Sequence, residues 1–142
     1  NVMKIILIAN CILLASTVAQ ASPQVDCLAK MAYMEARGIN KQAVKDVTDV
    51  MFNRIKHHKF PDSVCKNINK KGQYPWAAKG SKVKDIQTYK AIYKQVDSEY
   101  AKFKLGTWKD GTNGAMYFNN RQGKPYPKAK FLFKRNGHYF YK

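Results

Sequence analysis

Apolar side chains recur at helical spacing in three stretches of the chain. The stretches run from about Pro23 to Arg37, from Lys41 to about Lys56, and from about Lys82 to Lys102. Residues three, four and seven apart lie on one face of a helix, so each stretch predicts an amphipathic helix. The apolar stripes consist of Leu28, Met31 and Ala32; of Val44, Val47, Met51 and Ile55; and of Ile86, Tyr89, Tyr93, Val96 and Tyr100. Asn40 is a predicted N-cap of the second helix.

The C-terminal part of the chain is typical of short strands. Ala115 to Asn119 predicts one strand, and Phe131 to Lys142 predicts a hairpin because Asn136-Gly137 lies between two aromatic runs. The stretch from Asn67 to Ser81 is rich in Gly, Lys and Asn and predicts an irregular loop. Helices first and a small antiparallel β part afterwards predict one α+β domain.

The first 21 residues have the pattern of a secretory signal peptide. Lys4 provides the positive end, Ile5 to Val18 is an apolar run, and Ala19-Gln20-Ala21 is a small-x-small cleavage site. The run is short for a transmembrane helix, which needs about 20 apolar residues. We therefore expect residues 1–21 to be a signal peptide, residues 22–142 to form the domain, and the protein to be secreted or periplasmic. A retained signal anchor is the alternative.

Cysteine usage agrees with an exported protein. Cys11 lies in the predicted signal peptide, which leaves Cys27 and Cys65 in the domain. An even number of cysteines in an exported chain favours a disulfide, with two free buried thiols as the alternative.

The formal net charge of +17, from 26 basic and 9 acidic residues, favours a polyanionic partner. The lysines are spread along the chain and no nucleic-acid motif accompanies them, so we expect no nucleic-acid partner. An exported protein would meet anionic envelope polymers instead. The alternative is that the charge serves solubility alone.

Glu35 is the strongest candidate for acid–base chemistry. It continues the apolar stripe of the first helix and lies in its last turn, where the helix dipole is negative. Desolvation and the dipole should both raise its pKa, as a general acid requires. Arg37 would oppose that rise if it points the same way, and pairing of Glu35 with a lysine is the alternative. Glu99 lies on a lysine-rich helix and is expected to be solvated.

A second carboxylate decides the type of reaction. Glycosidases commonly place two carboxylates across the scissile bond. Asp46 and Asp49 are candidates, but lysines surround them and we expect both side chains to face water. With one carboxylate the substrate must supply the nucleophile, as the C6 hydroxyl of N-acetylmuramic acid in cell-wall glycan can do.

Aromatic and polar residues in the predicted loops favour a sugar ligand over a metal site. Sugar rings stack on aromatic faces while amides orient them. The candidates are Tyr74, Trp76, Tyr117, Phe118 and Asn119, and core packing is the alternative for most of these aromatics. His57, His58 and His138 do not converge in the sequence pattern, so we expect no metal and no other cofactor.

Six ordered segments make the chain resemble the SleB-type cell-wall hydrolases, which include spore-cortex-lytic enzymes and some phage lysins. The segments are Cys27-Leu28-Ala29 through Tyr33-Met34-Glu35-Ala36-Arg37-Gly38; Asn53-Arg54-Ile55; Phe60-Pro61-Asp62-Ser63-Val64-Cys65; Gly72-Gln73-Tyr74 with Trp76; Gly114-Ala115-Met116-Tyr117-Phe118-Asn119; and Gly137-His138-Tyr139-Phe140. Together they span nearly all of residues 22–142.

The resemblance implies a lysozyme-like fold and lytic transglycosylase activity on the glycan strands of peptidoglycan. It implies that Glu35 is the catalytic acid. The substrate-binding residues it implies are Gln73, Tyr74, Trp76, Tyr117, Asn119 and His138. The paired cysteines of the family correspond to Cys27 and Cys65. Ile39-Asn40, Pro75 and Asn119-Asn120 depart from the usual family pattern and affect the expected fine specificity of the cleft.

Three other activities stay open at this point. One is a muramidase that uses water, and another is an N-acetylmuramoyl-L-alanine amidase, which would need a metal. The third is a non-catalytic cationic module that binds walls or membranes. Whichever function the protein has, we expect it to be a monomer.

Overall fold

The structure is a computed structural model, and it describes residues 22–121, 126 and 128–142. The predicted signal peptide, residues 1–21, lies outside the described residues. No helix in the described part of the chain is long and apolar enough to cross a membrane.

Three long helices form the larger layer of the domain. They are α1 (Pro23–Ala36), α2 (Lys41–Ile55) and α5 (Ile86–Leu105). The helix α1 packs against both of the others, and its side chains Leu28, Met31 and Ala32 are fully buried, as their spacing predicts. The core sits where these three helices meet.

The ends of the long helices follow from local side-chain chemistry. The Asn40 side chain accepts a hydrogen bond from the Ala43 N–H at 2.9 Å, so the predicted cap of α2 is confirmed. Asp85 caps α5 in the same way, through the Thr88 N–H. This cap makes α5 begin at Ile86 and not at Lys82. The helix ends at Gly106, whose φ of 77° suits a residue without a Cβ.

Two short helices occupy the region between α2 and α5. They are α3 (Val64–Asn69) and α4 (Pro75–Ala78), so the prediction of an irregular loop from Asn67 to Ser81 is wrong for part of that stretch. The Ser63 side chain accepts from the Lys66 N–H and caps α3. Pro75 occupies the first turn of α4, where its missing N–H costs nothing.

The strands form one small antiparallel sheet. The strands β1 (Tyr117–Asn119), β2 (Phe131–Arg135) and β3 (His138–Tyr141) lie in the order β1-β3-β2. The β2–β3 turn consists of Asn136 and Gly137, with φ of 50° and 78°, as the predicted hairpin requires. Pairing of Phe118 with Phe140 sets the register between β1 and β3.

A disulfide joins the first helix to the third. Cys27 in α1 and Cys65 in α3 are bonded, with a Cα–Cα distance of 5.4 Å. The predicted disulfide is confirmed. It fixes the chain that follows α3, which carries Gln73 and Tyr74, relative to the helix that carries Glu35.

Candidate active site

Glu35 lies in the last turn of α1 and lines a cleft of about 670 Å³. The cleft is bounded by α1, α2, the segment that leads into α4, the end of β1 and the β2–β3 turn. Its lining residues are Met34, Glu35, Ile39, Arg54, Gln73, Tyr74, Pro75, Phe118, Asn119, Asn120, Tyr126, Asn136, Gly137 and His138. The fold therefore brings residues from separate parts of the chain to one carboxylate.

Two groups hold Glu35 in place. The Trp76 indole Nε1–H donates to the Glu35 carboxylate Oε1 at 2.8 Å. The His138 Nε2 lies 3.2 Å from the Glu35 backbone carbonyl oxygen. The carboxylate is thus fixed by α4, and the backbone of the same residue is in contact with β3.

Burial raises the pKa of Glu35 above its ordinary value of 4.5. The hydrogen bond from Trp76 and the charges of His138 and Arg54 lower the pKa but do not cancel the effect of burial. Arg37 does not take part, because its guanidinium Nη1 donates to the Tyr33 hydroxyl at 2.7 Å. The expected rise in the pKa of Glu35 is therefore present in the folded protein.

Most of the predicted substrate-binding residues meet at this cleft. Gln73, Tyr74, Asn119 and His138 line it, and Trp76 reaches it through the hydrogen bond to Glu35. Their roles stay predictions, since position alone does not test them.

Tyr117 lies in a neighbouring cavity of about 590 Å³ and not in the cleft. Its ring stacks on Tyr126 with the ring centroids 4.4 Å apart. Tyr126 lines both the cleft and the neighbouring cavity, so the two spaces share a wall.

Arg54 is a site residue that belongs to a family-matching segment but for which the sequence predicted no role. Its side chain is 3% exposed and lines the cleft. Its Nε donates to the Met116 carbonyl at 2.7 Å and its Nη1 donates to the Tyr74 hydroxyl at 3.0 Å. Arg54 is seven residues after Val47 and three after Met51, on the buried stripe of α2. A charged residue on an apolar stripe, the signal that identified Glu35, could have identified Arg54 too.

The other candidate carboxylates have structural partners elsewhere. Asp46 and Asp49 are both 0% exposed, so the expectation that they face water is wrong. Asp46 accepts two hydrogen bonds from Arg135, and Asp49 accepts from Lys45, the Trp108 indole and the Gly111 N–H.

Glu99 is also buried, at 9% exposure, and not solvated as expected. It lies 3.4 Å from Lys102 and 3.8 Å from Lys45. All nine acidic residues of the sequence fall within the described residues, and Glu35 is the one that lines the cleft.

Histidine, cysteine and acidic side chains form no cluster of three or more that could hold a metal ion within the residues that the structure describes. His57 and His58 lie together at the end of α2, with ring centroids 4.5 Å apart. His138 belongs to the Glu35 cleft. The expectation that the reaction needs no metal stays a prediction.

The comparisons with known proteins define the class of this chain. It belongs to the cell wall hydrolase family, whose model matches residues 39–141. The matched range begins four residues after Glu35, so the family model does not include this residue. No curated protein gives a match to the sequence.

Solved structures with the same fold come from two Bacillus species. The catalytic domain of the germination-specific lytic transglycosylase SleB from Bacillus anthracis is similar with a TM-score of 0.64 and 21% identity, covering 88% of this chain and 98% of that one. The catalytic domain of the Bacillus cereus SleB protein is similar with a TM-score of 0.61 and 22% identity, covering 84% of this chain and 89% of that one. The predicted SleB-type family and the lysozyme-like α+β fold are confirmed, and the protein is a cell wall hydrolase.

Proposed function

We propose that this cell wall hydrolase is an exported lytic transglycosylase that cleaves the bond between N-acetylmuramic acid and N-acetylglucosamine. The observation that carries the proposal is a single carboxylate with a raised pKa in a cleft that contains no other acidic side chain. All nine acidic residues are described, so a second carboxylate is not hidden elsewhere in the chain. The structurally similar SleB domain from Bacillus anthracis belongs to a lytic transglycosylase, which supports the same reaction.

One carboxylate is enough when the substrate provides the nucleophile. Glu35, whose protonated form is favoured by burial, gives its proton to the glycosidic oxygen as the bond to the anomeric carbon breaks. The C6 hydroxyl of the same muramic acid then forms the new bond to that carbon. Its proton passes to the Glu35 carboxylate, which restores the starting state. The products are an N-acetylglucosamine end and a 1,6-anhydro end, and no water is consumed.

The remaining lining residues suit an amide-bearing sugar. Gln73 and Asn119 can orient hydroxyl and acetamido groups, and Tyr74 and Phe118 provide apolar surface beside them. Tyr126 connects this cleft to the cavity that holds Tyr117, which offers room for a further sugar of the same strand. We propose that the strand is peptidoglycan and that the protein acts as a monomer.

The product of digestion tests the reaction. Purified peptidoglycan is digested with the protein and with Glu35→Gln, and the fragments are analysed by mass spectrometry. Fragments one water lighter than ordinary muropeptides, present only with the unchanged protein, are the expected result. Ordinary reducing ends would instead establish a muramidase, and separation of peptide from glycan, with loss of activity in a chelator, would establish an amidase.

Export is proposed from the pattern of residues 1–21 alone. The test is expression of the whole chain in a bacterial host, followed by N-terminal sequencing of the protein outside the cytoplasm. A mature end at Ser22 is expected. A protein recovered at full length in the membrane fraction would indicate a retained anchor.

A further inference from the structure

Arg54 is a buried cation without an anionic partner. Its side chain is 3% exposed, yet it forms no ion pair with any of the nine acidic side chains, all of which lie in the described residues. Arginine is almost never fully buried unless it is paired. The other buried ionic groups of the domain follow that rule, as Asp46 does with Arg135. The charge of Arg54 therefore needs another explanation.

Uncharged groups hold the guanidinium rigidly at the cleft. Two hydrogen bonds join it to the Met116 carbonyl and the Tyr74 hydroxyl. Three aromatic rings surround its Cζ at 5.4 to 5.8 Å from their centroids, those of Phe60, Tyr74 and Tyr117. Ring faces attract a cation but leave its net charge uncompensated. That charge acts on Glu35, whose pKa it lowers.

We propose that Arg54 is a positioning residue whose fixed positive charge balances the Glu35 carboxylate that forms when the proton leaves. The inference rests on the proposed function, since it gives Arg54 a part in the cycle of protonation at Glu35. Arg54 exchanges no proton and touches no reacting atom. Glu35 changes from neutral to a charge of −1 on donating its proton and returns to neutral on taking the proton of the C6 hydroxyl.

The absence of a direct ion pair is what this role requires. A carboxylate bonded directly to a guanidinium has a lowered pKa and would be ionised before the reaction begins. A carboxylate in an apolar cleft with no cation nearby would be a poor proton donor, since its charged form would be too costly. Arg54 lines the same cleft as Glu35 but does not pair with it, so Glu35 can hold its proton and still release it.

Other groups also affect the pKa of Glu35, and the charge of Arg54 has to be compared with them. His138 of β3 lowers its pKa by its charge, and Trp76 of α4 lowers it through the hydrogen bond. Tyr74 and Tyr126 interact electrostatically with Glu35 through their hydroxyls. Of the residues named, Arg54 alone is a cation at every pH at which the enzyme could work.

The test is the pH dependence of kcat/KM for Arg54→Gln and Arg54→Lys beside the unchanged protein. Activity should fall on the alkaline side as Glu35 loses its proton. In Arg54→Gln the missing charge raises the pKa of Glu35, so this alkaline limb moves to higher pH while kcat/KM falls about tenfold at the optimum. Arg54→Lys keeps the charge, and its alkaline limb should stay near that of the unchanged protein.

Arg37→Gln is the matched control. It removes a cation only two residues from Glu35 in sequence, but that cation is bonded to Tyr33 and is not among the charges that shift the pKa of Glu35. Its alkaline limb should not move. An Arg54→Gln limb at the position of the unchanged protein, with a lower rate at all pH values, would overturn the proposal and leave Arg54 a structural residue.

Two further measurements distinguish a failure of the Arg54 inference from misfolding of the variant and from a failure of the proposed function. If Arg54→Gln does not fold, Arg54 is replaced by citrulline, its neutral isostere, through chemical ligation at Cys65, and the same limb shift is expected. If Glu35→Gln keeps its activity, the proposed function fails. If Glu35→Gln is inactive but neither neutral replacement of Arg54 moves the limb, only the inference about Arg54 fails.

Discussion

Burial raises the pKa of Glu35, which prepares this side chain to act as a general acid. Its neighbours on α1 are apolar, and its fixed contacts are one indole N–H and the surrounding cleft. Replacing it with glutamine keeps the shape and leaves an oxygen for Trp76 to donate to, but it removes the proton. We expect Glu35→Gln to lose at least about a hundredfold in turnover, the usual contribution of a general acid. Release of glycan fragments from purified walls measures the loss, and a variant with most of its turnover would end the assignment.

The raised pKa of Glu35 also predicts how stability depends on pH. The folded protein holds this proton to a higher pH than the unfolded chain, whose ordinary value is 4.5. The corresponding stability is complete below that value and is lost as the pH rises through the folded-state pKa. Glu35→Gln has no such loss. As the pH rises, the free energy of unfolding of Glu35→Gln should therefore increase relative to that of the unchanged protein. Urea unfolding of both proteins across this range checks it, and a constant difference would contradict it.

Single residues show where sequence patterns succeed and fail. Position on an apolar stripe predicted the burial of Glu35 correctly, because spacing along a helix determines which face a residue shares. The lysines near Asp46, Asp49 and Glu99 led to the expectation that all three face water, and this was wrong because they are buried. Asp46 pairs with Arg135 and Glu99 lies near Lys45, both far away in sequence, and Asp49 also accepts from the distant Trp108. A buried charge is tolerated where a residue distant in sequence pairs with it. A single sequence does not show which distant residues will pair in the fold.

At the scale of elements, the length of a helix decides whether the sequence could predict it. The helices α1 and α2 run for 14 and 15 residues, long enough for a repeating stripe. The helices α3 and α4 have six and four residues and are too short to show a repeating pattern of hydrophobic positions. In the sequence they are marked only by the Ser63 cap of α3 and by Pro75 in the first turn of α4. The β2–β3 hairpin was predictable because Asn136-Gly137 is itself a turn signal.

The disulfide between α1 and α3 has a measurable effect on stability. It closes a loop with a sequence separation of 38 residues, and a loop of that size corresponds to about 4 kcal/mol in the chain-entropy model. Cys27→Ser should lower the free energy of unfolding by about that amount under oxidising conditions. In excess reductant the variant and the unchanged protein should be equal, and Cys65→Ser should behave in the same way. A loss of equal size in reductant would mean that the serine acts through packing.

The ion pair between the buried Asp46 and Arg135 anchors the hairpin to α2. Asp46 is fully buried and accepts from Arg135 Nη2 at 2.6 Å and from Nε at 2.8 Å. Arg135 ends β2, next to the turn that lines the Glu35 cleft. Asp46→Asn should cost about 2 kcal/mol of unfolding free energy, since it weakens charge-assisted hydrogen bonds at a buried group.

The control for that prediction is Asp62→Asn. Asp62 also has a cationic partner, Lys66 at 2.9 Å, but both side chains are exposed. Exposed ion pairs contribute little, so this variant should show no measurable change in urea unfolding. Equal losses in the two variants would mean that burial of the Asp46 pair is not the cause of its effect.

At the scale of the whole molecule, the cleft is assembled from residues far apart in sequence, as the contact of His138 with Glu35 across 103 positions shows. The resemblance to a known family named most of these residues, but spacing alone could not bring them together. Nor could it separate Tyr117, which lies in the neighbouring cavity, from Tyr74, which lies in the cleft. The assembly of the cleft and the separate positions of these two tyrosines both depend on tertiary packing between α2 and the sheet.

The net charge of +17 is the remaining whole-molecule property, and it favours anionic polymers as partners. We therefore expect anionic wall polymers to contribute to binding of purified walls. Screening lengths fall from about 30 Å at 0.01 M salt to about 3 Å at 1 M, so co-sedimentation with walls should decrease steeply over that range. Replacing the exposed lysines of α5, Lys90, Lys94 and Lys104, by glutamine should weaken binding at low salt without changing the products. Binding that ignores both salt and these substitutions would mean that the charge serves solubility alone, and that the cleft provides the attachment to the wall.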